Sequence, residues 1–219
     1  MSALFVTGTD TGVGKTFVAC AAAHALRTRG RRVSVMKPVE TGVESAPEDA
    51  LRLRAAAADE APLDTICPYR FRAPLAPAVA ARAEGRRIDV DALVDAVLAR
   101  CETADVLLVE GAGGLLVPLA GTTTFADLAV RCALPVLIVA ANRLGTVNHT
   151  ALTARVAAGY GLAVCGFVLS QPAAAPDASA ESNAGAIAAL TGLRCLGSLP
   201  YAADPARVAA ALDVAALGV

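Results

Sequence analysis

Large rings are scarce in this chain: aromatic residues occupy 4% of 219 positions, and there is no Trp. A core without them must be built from Ala, Val and Leu. With 56% apolar residues overall, that composition suits close packing of helices on a sheet. An excess of either charge is also missing, since 19 basic and 20 acidic residues give a formal net charge of −1. Neither nucleic acid nor an anionic membrane surface is therefore expected as a partner. No apolar run approaches ~18 residues, so no membrane-spanning helix is expected. The N-terminus has neither the basic segment nor the long apolar run of a secretory signal, and a cytoplasmic location is the expectation. Six cysteines (Cys20, Cys67, Cys101, Cys132, Cys165 and Cys195) form no CxxC pair, and no histidine stands at metal-ligand spacing. Most should be small buried hydrophobes. The length suits one sizeable α/β core, read as a single domain over residues 1–219.

What is present begins at Gly8-Thr9-Asp10-Thr11-Gly12-Val13-Gly14-Lys15-Thr16. An apolar run, Ala3 to Val6, precedes it, and an alanine-rich helical segment, Lys15 to Arg29, follows. Strand, glycine-rich loop and helix together form a phosphate-binding loop. Backbone N–H groups at the helix start attract an anion, Lys15 can neutralise the outer phosphates of a nucleotide, and Thr16 offers a hydroxyl to Mg²⁺. The GxxxxGK(S/T) register would put its first glycine at position 9, and here it stands one residue earlier, at Gly8. Val18, Ala19, Ala22, Ala23 and Leu26 share one face of the helix. His24 reads as a surface or partly packed residue.

Strands and helices then alternate. Val33 to Met36 is a strand ending in Lys37-Pro38-Val39-Glu40-Thr41-Gly42. A lysine at that end of a parallel strand faces the edge where open α/β sheets bind ligands, though an ordinary solvated lysine fits as well. A helix should start near Pro47, with Asp49 in its first turn as a partner for the helix dipole. Residues 61–87 hold several prolines and no clear periodicity, and read as loop or short irregular elements serving as a lid or a subunit contact. Ile88 to Cys101 returns to helical spacing, with Val90, Leu93, Val94 and Val97 on one stripe. The strand from Asp105 ends in Glu110-Gly111-Ala112-Gly113-Gly114. A single carboxylate at the end of an apolar strand is what a phosphoryl-transfer site uses to hold Mg²⁺, and otherwise needs a partner such as Lys37 or Lys15. The glycines after it would let a ligand pass. Phe125 to Cys132 is a helix and Pro135 to Ala140 a buried strand. Another helix runs to about Ala158, with Thr146 and Asn148 as cap candidates at an N-terminus that could hold a carboxylate. A strand at 162–169, a helix at 182–190, a strand at 195–199 and a helix from about Pro205 complete the chain, with a surface loop at 171–180. The fold class is α/β and P-loop NTPase-like, a mostly parallel sheet covered by helices on both faces.

Four segments, GTDTGVGKT (8–16), KPVETG (37–42), VEGAGGLLVPL (109–119) and LGTVNHTALT (144–153), resemble dethiobiotin synthetase in order and spacing. The resemblance implies a cyclo-ligase of biotin biosynthesis acting on 7,8-diaminononanoate, CO₂ and ATP or another nucleoside triphosphate with Mg²⁺. The route it implies runs through a carbamate and a carbamic-phosphoric anhydride. It further implies that Lys37, Lys15 and Thr11 carry the chemistry and that Thr16, Asp49 and Glu110 hold Mg²⁺. Nucleotide would be bound by Gly12, Val13, Gly14, Lys15, Thr16, Phe17, Asp49, Glu110, Gly111, Ala112 and Gly113, with Ser170, Gln171, Leu199, Pro200 and Tyr201 on the base side. Thr41, Glu110 and Gly111 would contact the substrate, whose carboxylate is received by Thr146, Val147 and Asn148 of the opposite subunit of a homodimer. Two positions depart from the pattern. Ser170-Gln171 stands where many relatives carry an Asn-Asp pair that contacts the purine, which opens the base preference, and Gly12 replaces a glutamate found in some.

Three rival readings remain. A partitioning-type switch ATPase would carry a signature lysine where Asp10 stands. An amidotransferase-linked ligase would need an added glutamine-hydrolysing domain, for which the chain is too short. An inert nucleotide-binding module would not require Lys15, Thr16, Lys37 and Glu110 together.

Overall fold

The computed structural model describes residues 2–202 and 204–219. Its core follows from alternation in the first strand. Strand β1 (Ser2–Gly8) sends Leu4 and Val6 to one face and Phe5 to the other, as the two-residue period of a strand requires. On the first face lies α1 (Lys15–Thr28), buried almost all round because α2 (Glu48–Ala57) and the 3₁₀ segments Pro205–Ala211 and Val214–Leu217 pack over it. Small residues such as Ala19, Ala22 and Ala23 permit this close approach. On the second face Phe5 meets Phe125 at 6.1 Å between ring centroids. That layer is built from α4 (Pro77–Ala83), α5 (Val90–Cys101), α6 (Phe125–Arg131), α7 (Thr146–Gly159) and α8 (Ala180–Thr191).

Between the layers runs a six-stranded sheet of β2 (Val33–Met36), β5 (Val106–Glu110), β8 (Val136–Ala141), β9 (Val164–Ser170), β10 (Cys195–Leu199) and β1. The order is β10-β9-β8-β1-β5-β2, parallel throughout. Because β1 lies inside the sheet, the crossovers diverge from it, and its carboxyl end is the switch point where open α/β sheets bind ligands. At the sheet edge, the Val35 N–H donates to Asp59 Oδ2 at 2.9 Å, and the Val35 carbonyl accepts from Arg100 at 3.2 Å. Asp59 and Arg100 also form a buried ion pair. This pair satisfies backbone groups that an open edge strand would leave to a neighbouring chain.

Some expectations change. Residues 61–87 form α3 (Leu63–Ile66), β4 (Tyr69–Phe71) and α4, and β4 pairs in parallel with β3 (Val39–Thr41). The segment is thus folded onto the strand that carries Thr41. The C-terminal elements are 3₁₀ turns rather than one α-helix. A short antiparallel pair, β6 (Pro118–Ala120) and β7 (Thr123–Thr124), was not legible in the sequence. All six cysteines are free, but only Cys20, Cys67 and Cys132 are buried. Burial pushes the Cys20 and Cys67 thiols up to about 12, consistent with inert packing groups. No helix among the described residues is long and apolar enough to cross a membrane.

Candidate active site

The early position of the first glycine has a structural reason. A Cβ at Gly8 would lie 2.7 Å from the Asp10 carbonyl oxygen and 2.9 Å from Lys15 Nζ. The loop folds back over its own strand end, and only glycine leaves room. Gly14, the residue before α1, has φ +90°, and a Cβ there would lie 2.5 Å from Ser170 Oγ. Lys15 Nζ donates to the Asp10 carbonyl at 3.0 Å, which folds the side chain over the loop.

Strand register builds the rest. Met36 pairs with Val109, so the next residues along, Lys37 and Glu110, emerge side by side at the carboxyl ends of β2 and β5. Lys37 is 3% exposed and Glu110 1%. Lys37 Nζ donates to Glu110 Oε1 at 2.5 Å, to Asp49 Oδ2 at 3.0 Å and to the Gly111 carbonyl at 3.5 Å. Thr16 Oγ1 donates to Glu110 Oε1 at 2.8 Å. The partner demanded by a buried glutamate is therefore Lys37. Burial opposes the charge of Lys37, but the Glu110 and Asp49 carboxylates outweigh it and raise its pKa. Lys15 goes the other way: burial, reinforced by repulsion from Lys37, pushes it down to about 8. Asp49 is held below the usual carboxylate range because Lys37 outweighs its desolvation.

These groups line a cleft of about 570 Å³ together with Thr11, Gly12, Gly14, Phe17, Thr41, Ala112 and Gly113. Gly111 is set apart: a Cβ there would meet the Phe5 ring at 2.8 Å. Its missing side chain admits a core ring, which corrects the expectation of a passage for ligand. Val13 is buried and lines, outside the cleft, a small crevice shared with Asp10, Arg143 and Thr146. Thr146, Val147 and Asn148 open α7 outside the cleft. The residue capping that helix is Gly145, with φ +93° and no side-chain hydrogen bond, so the expectation that Thr146 or Asn148 caps it is corrected. Thr146 Oγ1 is buried without a partner. On the base side Ser170 touches the loop at Gly14, and Gln171 N–H donates to the Leu199 carbonyl at 2.9 Å. Leu199 is buried, and Pro200 and Tyr201 are exposed beyond it.

Sequence reasoning missed Glu40, Arg52, Val117 and the wall Pro74 to Pro77, all of which line the cleft. The wall was hidden by its lack of periodicity. Glu40 had a signal: Pro47, before α2, has no side-chain acceptor, so the helix needs one from elsewhere. Burial moves the Glu40 carboxyl upward, against the hydrogen bonds it accepts from the Ala50 and Asp49 amides.

The donor set fits Mg²⁺. Glu110 Oε2 is buried with no hydrogen-bond partner, near the Thr16 hydroxyl and the Asp49 carboxylate. Such hard oxygen donors suit an ion that takes its remaining ligands from phosphates and water. The set contributes two carboxylates and a hydroxyl, and among the described residues there is no cluster of three or more His, Cys, Asp or Glu that would hold a metal ion by itself.

A parallel sheet with a phosphate loop at its switch point defines a P-loop nucleotide-binding protein, and the family described as AAA domain matches residues 2–208. The chloroplast FtsY structure from Physcomitrella patens is similar in fold, with a TM-score of 0.51 at 19% identity over 99% of this chain and 64% of that one. Sequence similarity is narrower in meaning. The ATP-dependent dethiobiotin synthetase BioD of Anaeromyxobacter dehalogenans strain 2CP-C is 52% identical over 97% of this chain and 96% of its own. That of Anaeromyxobacter sp. strain Fw109-5 is 50% identical over 93% and 92%. The chain belongs to the ATP-dependent dethiobiotin synthetase family.

Proposed function

We propose that this protein uses ATP, with Mg²⁺, to close a cyclic urea on 7,8-diaminononanoate with CO₂, yielding dethiobiotin, ADP and phosphate. The observation that carries the reading is the pair of buried lysines, Lys15 and Lys37, lining one cleft with the Asp49 and Glu110 carboxylates and the phosphate loop. One substrate amine adds to CO₂ and loses a proton, giving a carbamate. A carbamate oxygen then forms a bond to the γ-phosphorus as the bond to ADP breaks. The second amine attacks the carbamoyl carbon, loses its proton and displaces phosphate. Lys15 and Lys37 offset the repulsion between carbamate and triphosphate and stabilise charge on the transferring phosphoryl group. Thr11 and Thr41 orient the carbamate by hydrogen bonding. Thr16, Asp49 and Glu110 would hold Mg²⁺, whose charge offsets that of the β- and γ-phosphates.

The wall of Pro74, Leu75, Ala76 and Pro77 with Val117 suits the methylene chain of the substrate. The N-terminus of α7, whose amides no capping side chain satisfies, lies beside Leu144 at 81% exposure and supports a homodimer in which Thr146, Val147 and Asn148 receive the substrate carboxylate of the other subunit. Ser170, Gln171, Leu199, Pro200 and Tyr201 form the base side, with a small hydroxyl nearest the loop. The protein works as a single domain in the cytoplasm. The test is phosphate release from several nucleoside triphosphates, with and without diaminononanoate and bicarbonate, with mass detection of the product. Release that needs both and yields the cyclic urea supports the proposal; release indifferent to diaminononanoate returns the protein to the switch ATPases.

A further inference from the structure

Helix α2 begins without a local cap: Pro47 precedes it and makes no side-chain hydrogen bond. The amides at its second and third positions are nevertheless satisfied from a distance. Asp49 N–H donates to Glu40 Oε1 and Ala50 N–H to Glu40 Oε2, each at 3.0 Å. Glu40 is 7% exposed and sits between Val39, in the core, and Thr41, in the cleft. A carboxylate is the strongest side-chain acceptor for helix N-terminal amides, and its charge complements the helix dipole. The backbone of Asp49 is thus tied to the strand that carries Thr41, while its side chain reaches Lys37.

We infer that Glu40 is a positioning residue that sets the Asp49 carboxylate for the divalent cation by capping α2 from strand β3. The inference rests on the proposed role of Asp49 toward that cation. Both Glu40 carboxylate oxygens are engaged by the two amides, and it is through them that the side chain acts. In Glu40→Gln the side chain keeps one acceptor, but its NH₂ group faces the second amide, so one bond and the charge are lost. Pro47→Asp would place an acceptor at the N-cap, where a short carboxylate reaches the same two amides.

The experiment measures Mn²⁺ binding to the full chain with ADP by electron paramagnetic resonance, alongside kcat and KM. In Glu40→Gln the Mn²⁺ dissociation constant should rise about tenfold, as for loss of one charge-assisted hydrogen bond. kcat should fall, with KM for diaminononanoate changed less than about threefold. Adding Pro47→Asp should recover most of the Mn²⁺ affinity, and this double variant also serves if Glu40→Gln alone folds poorly. Asp49→Asn separates the two ideas. If it weakens Mn²⁺ binding while Glu40→Gln does not, or if Pro47→Asp restores folding without restoring affinity, the role of Glu40 is overturned. If Asp49→Asn also leaves Mn²⁺ binding unchanged, the metal role of Asp49 fails first and the inference falls with it.

Discussion

Replacing Lys37 by Met should damage stability and turnover by separable routes. The ammonium is the charge partner of Glu110 at 2.5 Å and of Asp49 at 3.0 Å. With it gone, Glu110 keeps one hydrogen bond, from Thr16, and a second oxygen already without a partner. Removing one member of a buried ion pair costs about 3–5 kcal/mol, because the remaining charge is desolvated without compensation. At roughly 2–4 °C per kcal/mol for a chain of this size, the unfolding midpoint of the ligand-free protein should drop by about 6–20 °C. Adding Glu110→Gln removes the stranded charge and should recover more than half of that loss, a coupling that a double-mutant cycle by calorimetry would register. Turnover should not recover. Loss of a preorganised cation at the transferring phosphoryl group is worth about 10²–10³ in kcat, with ATP affinity changed only a few-fold because Lys15 and the loop amides remain. Additive stability losses in the double variant, or equal losses of ATP affinity and kcat in Lys37→Met, would refute this reasoning.

Other perturbations test other parts of the molecule. Lys15 is pushed down to about 8 in the fold, so below pH 8 its charge destabilises the ligand-free protein. That penalty, about 3 kcal/mol, is relieved as pH rises from 8 toward the ordinary lysine range. The stability gap between Lys15→Met and the parent should therefore narrow over that window in denaturant unfolding. Nucleotide binding near pH 8.5 should take up a proton, visible by calorimetry in buffers of different ionisation enthalpy; no uptake would count against a neutral Lys15. Gly14→Ala combines φ +90° with a 2.5 Å approach to Ser170 Oγ, and should weaken ATP binding at least about 100-fold in equilibrium titration. Arg100→Met strands the buried Asp59 at the sheet edge and should cost about 3 kcal/mol in denaturant unfolding with kcat unchanged; an unchanged midpoint would remove the edge-closing role.

Much of this was legible because local rules and global fold agree. Gly8, Gly14 and Lys15 announce a phosphate loop by residue type, and the long apolar strands, from Val106 to Glu110 and from Val136 to Ala141, announce a buried parallel sheet. Lys37, Glu110 and the need of that glutamate for a lysine partner could be read from the sequence, whereas the choice of Lys37 over Lys15 needed the register of β2 against β5. What stayed hidden depends on contacts distant in sequence. Glu40 caps a helix that starts eight residues later, and Asp59 and Arg100 meet across 41 residues. Gly111 reads in the sequence as room for a ligand, whereas in the fold its missing side chain makes room for the Phe5 ring. The N-terminus of α7 carried two good cap residues one and three positions too late, because Gly145 takes the left-handed turn instead.

The most direct test of the central claim is the fate of oxygen from CO₂. If a carbamate oxygen attacks the γ-phosphorus and phosphate is later expelled from the carbamoyl carbon, phosphate leaves with one oxygen that came from CO₂. With freshly supplied C¹⁸O₂, ATP and diaminononanoate, mass spectrometry of the released phosphate should find one ¹⁸O per molecule, and only when diaminononanoate is present. Phosphate that instead draws its new oxygen from solvent water would mean direct hydrolysis of ATP, and would contradict ring closure in this cleft.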